Sequence, residues 1–190
     1  MTVIAVIPGS VCRMRHQLTS NHASDTALSA GDFDKGRSYG TRRKVGTRNW
    51  LIFATYGGGG RLGHSHGWLP LRPGSVAVIV EGTQQHYGTD PVCGRWRFAW
   101  AHCKPEAAWL PLLAWPEVLP GVRVLAVPGA ELHSKIVAAL KEAVGFFDSD
   151  YRERLGLARN AVHRALLWCG ESQAAKAIDP RLQLVMDHVR

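Results

Sequence analysis

No apolar run in this chain approaches the ~18 residues that a membrane-spanning helix requires. The opening stretch, Met1 to His16, sets its apolar residues before its basic ones, the reverse of a secretory signal. These two absences lead to the expectation of a soluble, cytoplasmic protein. Cysteine is sparse and scattered: Cys12, Cys93, Cys103 and Cys169 form no CxxC pair, so neither a disulfide framework nor a thiolate metal site is read from them. Catalytic constellations are missing as well. No Ser-His-Asp or Cys-His pairing can be assembled, and no glycine loop opens a helix in the way that cradles a phosphate. The chain therefore reads as a non-enzyme with no cofactor. Acidic residues are the scarcer charge, 15 against 23 Lys and Arg. The imbalance lies in residues 1–127, with 14 Lys and Arg against 7 Asp and Glu; residues 128–190 carry 9 against 8. Five cations crowd together at Arg37, Arg42, Arg43, Lys44 and Arg48. Such a cluster suits an anionic partner, nucleic acid included, but a solvated loop is the simpler reading.

What is present fits one domain with an appendage, since 190 residues at 46% hydrophobic can bury a sizeable core. Residues 1–26 are mixed and aperiodic and read as an arm. Residues 27–128 alternate short apolar runs with glycine and proline. Strands are expected at Ala27–Phe33, Trp50–Tyr56, Trp68–Arg72, Ser75–Val80, Arg95–Cys103 and Arg123–Val127. Gly57–Gly60 reads as a hairpin turn, and Gln85–Pro91 as a tight segment. Many short strands at this spacing predict a barrel or sandwich.

Beyond Pro128-Gly129 the period becomes helical. Leu132, Ile136, Ala139, Leu140, Val144 and Phe147 mark one amphipathic helix, and Leu155, Ala158, Val162, Ala165, Leu166 and Cys169 a second. Asp148-Ser149-Asp150 joins them and offers a cap for the second helix, so residues 129–172 form an antiparallel hairpin. Leu155, Val162 and Cys169 recur every seven residues, with Arg159 and Leu166 between them. They fit a dimer seam or a stripe packed within the chain. A polar bridge, Gly170–Gln173, precedes a new helix with Pro180 in its first turn, and the chain stops inside that helix. Residues 173–190 are thus expected to be a linker and the truncated start of a further domain.

Two clusters carry candidate chemistry. On the strand Arg95–Cys103, side chains alternate, so Trp96, Phe98, Trp100 and His102 share one face and Arg97, Ala99, Ala101 and Cys103 the other. The ring face is either a platform for a flat ligand such as a sugar or a heavy core strand. His64-Ser65-His66 has the spacing of metal-binding barrels. With His86 it could hold a divalent ion in a metal-dependent cupin enzyme, although no carboxylate follows it.

Arg72-Pro73-Gly74, Gly82-Thr83, His86-Tyr87-Gly88, Trp96-x-Phe98-x-Trp100 and Trp109…Trp115-Pro116 stand in an order and spacing that resemble the AraC-type transcription regulators. Leu28–Phe33 and Arg43–Ile52 are similar to that family's sensor domain, and Asp179–Val189 to its entry into the helix-turn-helix half. The likeness covers roughly residues 27–190. It implies a mainly β, cupin-like jelly-roll barrel that binds a small sugar-like effector, followed by a hairpin that forms a homodimer through the second helix. DNA would be bound only by a C-terminal domain absent here. The resemblance to the arabinose-responsive member places ligand contacts at Arg43, Tyr87 and Trp100. Where that member has a sugar-binding histidine, this chain has Phe98, which puts arabinose itself in doubt. The same resemblance favours the dimer seam at Leu155, Arg159, Val162, Leu166 and Cys169.

Overall fold

A computed structural model describes residues 28–65 and 67–187, with side chains to residue 174. Ten strands come first: β1 (Leu28–Gly36), β2 (Gly40–Arg43), β3 (Trp50–Gly58), β4 (Gly60–His64), β5 (Gly67–Leu71), β6 (Ser75–Ile79), β7 (Gln85–Thr89), β8 (Arg95–Cys103), β9 (Glu117–Leu119) and β10 (Val122–Ala126). A 3-10 turn, Ala107–Leu113, separates β8 from β9, and two helices follow, α1 (Ala130–Phe147) and α2 (Arg154–Asp187). The strands form two antiparallel sheets. The larger has the order β1-β8-β3-β6-β10-β9 and the smaller β2-β7-β4-β5. This is the expected cupin-like jelly roll with C-terminal helices.

Alternation along the strands builds two cores. Leu51, Phe53, Ala77, Ile79, Trp96 and Phe98 of the larger sheet face Leu62, Leu71 and Tyr87 of the smaller one inside the barrel. The opposite face of the larger sheet, including Ile52, Ala54, Val76, Val78, Ala99 and Ala101, is buried under the helices. Both faces are therefore apolar, as for any sheet covered on two sides. Strand β8 alternates as the sequence predicts, with its rings inward and Ala99, Ala101 and Cys103 under the hairpin.

The helices run antiparallel. Phe146 meets Tyr151 near the turn, Glu142 pairs with Arg164, and Lys135 lies over the Trp168 ring. Ser149 does not cap α2. Its hydroxyl donates to the Phe146 carbonyl at 2.7 Å and closes the end of α1. The expected break at Gly170–Gln173 is also absent: α2 continues as one helix to Asp187, through the positions read as a linker and a separate helix. The residues read as an arm, 1–26, lie outside the described residues.

Gly57–Gly60 is not a hairpin turn. Strands β3 and β4 belong to different sheets, and the glycines carry the chain from one to the other. Gly58 has φ +60°, and a Cβ there would lie 1.9 Å from the Arg95 carbonyl oxygen; a Cβ at Gly60 would strike the Trp96 indole. Gln85–Thr89, read as a tight segment, is strand β7. It pairs with β2 and β4.

Candidate functional site

The inner face of the barrel gathers the ring strand and the polar residues of β2 and β7. Cross-strand register sets Arg43 opposite Gln85 and Thr41 opposite Tyr87. The Arg43 guanidinium donates to Gln85 Oε1 at 2.7 Å and to the Tyr87 hydroxyl at 3.3 Å. Gln85 in turn donates to Thr47 Oγ1 at 3.0 Å, which anchors the amide. Tyr39, which also hydrogen-bonds Tyr87, has its phenol pushed up to about 12, first by burial and then by the neighbouring Tyr87.

Trp100 sits one step along the same face. Its ring meets Phe33 edge-on at 5.3 Å and His102 at 5.5 Å. Gly31 lies opposite it in register, and a Cβ there would be 2.7 Å from the indole, so only glycine admits this ring. The Trp100 Nε1 is buried without a hydrogen-bond partner among the described residues. Buried N–H groups are normally satisfied, so an orphan donor on this face marks a place for an acceptor. Burial holds the His102 imidazole at about 4, with the Arg43 charge as a second cause, so it is neutral at physiological pH. Phe98 stacks on Trp96 at 3.8 Å and touches Phe33, Tyr39 and Phe53, forming an apolar floor.

Tyr87, Phe98 and Trp100 thus point into the barrel, with the exposed Arg43 on the same side of β2: Tyr87 and Phe98 both meet Phe53 and Trp96, Phe98 and Trp100 both meet Phe33, and Arg43 meets Tyr87. Trp96 is packing, fully buried, its Nε1 donating to Thr55 Oγ1 at 3.1 Å. His102 lies on this face as its alternation predicts; Gly31, Phe33, Tyr39 and Gln85 join it, and their roles were not read from the sequence. The signal was available: Tyr39 and Thr41 step by two to Arg43, and Gln85 steps by two to Tyr87.

Other candidates are not brought together. His86 meets Trp68 at a tilt, 4.5 Å between ring centroids, on the outer face of the smaller sheet, where a Cβ on Gly63 would meet it. His64, one residue on from Gly63, shares the face of Leu62 and Tyr87. Since His64 and His86 point to opposite sides, they cannot ligate one ion, and His66 lies outside the described residues. Among the described residues no group of three His, Cys, Asp or Glu could hold a metal. The basic cluster is likewise split, with Arg42 on the outer face beside His86 and Arg43 on the inner.

The proposed dimer seam is largely spent within the chain. Val162, Leu166 and Cys169 are buried in the core beneath the larger sheet. Arg159 pairs with Glu106 at 3.0 Å and lies over Trp109. A side chain already enclosed by its own chain has no surface left for a second subunit. Of the five residues only Leu155, at the start of the stripe, is exposed; Leu167 is exposed too, but on a different face of α2. No described helix is long and apolar enough to cross a membrane.

No protein-family model matches the chain. Over 76 residues it is 28% identical to the arabinose operon regulatory protein of Salmonella typhimurium, which is 40% of this chain and 27% of that protein. The arabinose operon regulatory protein of Escherichia coli matches equally, over 26% of its length. The matched stretch thus spans about a quarter of these curated relatives. Among solved structures, the apo form of ToxT from Vibrio cholerae shares the fold, with a TM-score of 0.51 at 12% identity over 82% of this chain and 58% of that one. The ordered motifs and the sequence match make the chain similar to the AraC-type regulators, and the solved neighbour has the same fold.

Proposed function

We propose that this chain senses a small, sugar-like effector inside its barrel and passes occupancy to a DNA-binding domain that would follow it. The observation that carries the reading is the orphan Trp100 Nε1 in the same barrel interior as the Arg43–Gln85–Tyr87 network. A guanidinium fork, a phenol and an indole N–H offer donors, and the indole face offers stacking for C–H groups. Phe98 supplies an apolar floor where a sugar-binding histidine stands in the arabinose-responsive relative. The effector therefore differs from arabinose at the atom that histidine would bond. We further propose that the chain forms a homodimer through α2, using the exposed side that carries Leu167, about 120° around the helix from the buried stripe. Control then requires that the effector bind the two states of the regulator with different affinity.

Thermal denaturation in a panel of small sugars, polyols and sugar acids tests the ligand reading. A ligand that binds only the folded chain raises Tm. At least one member should do so, and Trp100→Ala should abolish the rise while the association state stays that of the parent. A panel with no active member, or a rise that survives Trp100→Ala, overturns the assignment. For the dimer, Leu167→Glu should shift the sedimentation coefficient to that of a monomer. Were the parent itself monomeric, the interface would fall.

A further inference from the structure

The inner face counts out unevenly in donors, acceptors and charge. Arg43 and Lys35 both belong to it. Lys35 follows Gly31 and Phe33 at period two, and its ammonium lies 4.2 Å over the Phe33 ring and 5.5 Å over Tyr39. The ion pairs of the described residues leave both cations without a carboxylate. The neighbouring acids turn away. On the outer side of β1, Asp32 is taken by Tyr56 and Lys141 and Asp34 by Arg95. The partners of Arg43 are neutral, an amide oxygen and a phenol. Of the other titratable groups that feel its charge, His102 stays neutral and Tyr39 stays protonated, so neither supplies an anion.

We propose that the effector is a small carboxylate, a sugar acid within the sugar-like class, with its carboxylate at Arg43 and its body against Trp100 and Phe33. The proposal rests on the sensing function above and deepens it. A neutral sugar has a proton to donate from every hydroxyl and needs acceptors to receive them. The inner face instead presents a guanidinium, an ammonium and an unpartnered indole N–H, which a neutral sugar leaves poorly matched. A carboxylate accepts bidentately from a guanidinium, the geometry for which arginine is best suited. One hydroxyl oxygen on the ligand body then satisfies Trp100 Nε1.

Matched pairs test this: arabinose with arabinonate, galactose with galacturonate, and glucose with gluconate, each followed by Tm and by calorimetric titration on the full chain. In at least one pair the acid should bind 10-fold or more tightly than its neutral partner. Arg43→Gln should weaken the acid about 10- to 100-fold and bring the two together. Where Arg43→Gln does not fold, Lys35→Gln provides the second reading and should reduce the preference in the same direction. Equal binding of both members, or an acid preference that persists in both variants, overturns the proposal. Undiminished acid binding in Trp100→Ala overturns the site instead and leaves the carboxylate preference standing. No binding by any pair overturns both.

Discussion

The two sheets of the barrel are built on different terms. The larger sheet is covered on both faces, by the barrel interior and by the helical hairpin, and its central strands β3 and β6 are runs of buried apolar residues. The smaller sheet is covered on one face only. Leu62, Leu71 and Tyr87 turn inward, while Arg42, Arg61, Trp68 and His86 face outward. Trp68 is 41% exposed and held by Arg61, whose guanidinium lies 3.9 Å over its ring. Stability thus resides mainly in the larger sheet. The smaller sheet gives up buried area and carries the polar half of the candidate site, Arg43, Gln85 and Tyr87. Binding chemistry is placed where the fold has least to lose.

Two tryptophans test that division. Trp96→Ala empties the barrel beside Phe98 and leaves Thr55 Oγ1 without its donor, so it should cost about 3–5 kcal/mol of unfolding free energy. Trp68→Ala removes an equal ring from the open face and should stay within about 1 kcal/mol. Urea denaturation of both variants reads the difference. Similar costs would mean that something covers the outer face of the smaller sheet. Leu166→Ala belongs with the first of these, at about 2–5 kcal/mol, because its side chain is fully enclosed beneath the larger sheet. It should lower stability independently of protein concentration, which separates core packing from a dimer seam.

The same contrast explains what the sequence discloses. Each strand of the larger sheet except β9 is legible, and Arg95–Cys103 matches β8 from end to end. Continuous apolar runs such as Ser75–Ile79 announce themselves. In the smaller sheet only β5 is legible. Gln-His-Tyr-Gly-Thr and Gly-Arg-Leu-Gly-His are polar and glycine-rich, and they hold strand form through pairing with neighbours distant in sequence. Glycines here serve clearance: Gly60, read as part of a turn, makes room for the Trp96 indole, and Gly63 makes room for His86. At the site, the family resemblance placed Arg43, Tyr87 and Trp100 on the inner face. Period two already put His102 on the ring face, but Gly31 and Phe33 became visible only once β1 was laid against β8. The heptad on α2 was real, but a seven-residue stripe looks alike whether it meets its own sheet or another subunit.

Acid sharpens the comparison further, because each sheet meets it in a different pH range. His102 on the larger sheet is held at about 4 in the fold, against an ordinary value near 6.5, and buried His133 on α1 is shifted downward too, first by burial. A histidine depressed in the fold stays neutral there while the unfolded chain takes up a proton. Unfolding free energy should therefore fall as pH drops from about 6.5 toward 4, by up to about 3 kcal/mol from His102. His102→Gln should remove most of this slope in urea titrations at successive pH values. Asp90, on the turn after β7, is shifted the other way, chiefly by the Val92 amide and then by Arg72. Its contribution is present at neutral pH and is lost only below its ordinary 3.8, so the two ranges are separable.

The smallest effect expected lies on β1, the strand that serves both sides of the larger sheet. Its Gly31 supports the Trp100 indole from within, while its Asp32 reaches outward to the Tyr56 hydroxyl at 2.7 Å and to Lys141 on α1 at 3.2 Å. The Lys141 ammonium also lies 4.0 Å over the Tyr56 ring. This contact fastens the hairpin to the sheet directly behind the candidate site. The lysine is 42% exposed, so solvent screens the pair, and Lys141→Met should cost no more than about 1 kcal/mol. Its side chain already reaches over the Tyr56 ring, and methionine can keep apolar cover there. If the larger sheet is as rigid as its two buried faces imply, the effector-induced rise in Tm should be the same in Lys141→Met as in the parent. A changed rise with unchanged stability would mean that β1 moves when the barrel is occupied. The sheet that carries the fold would then also carry the signal to the helices.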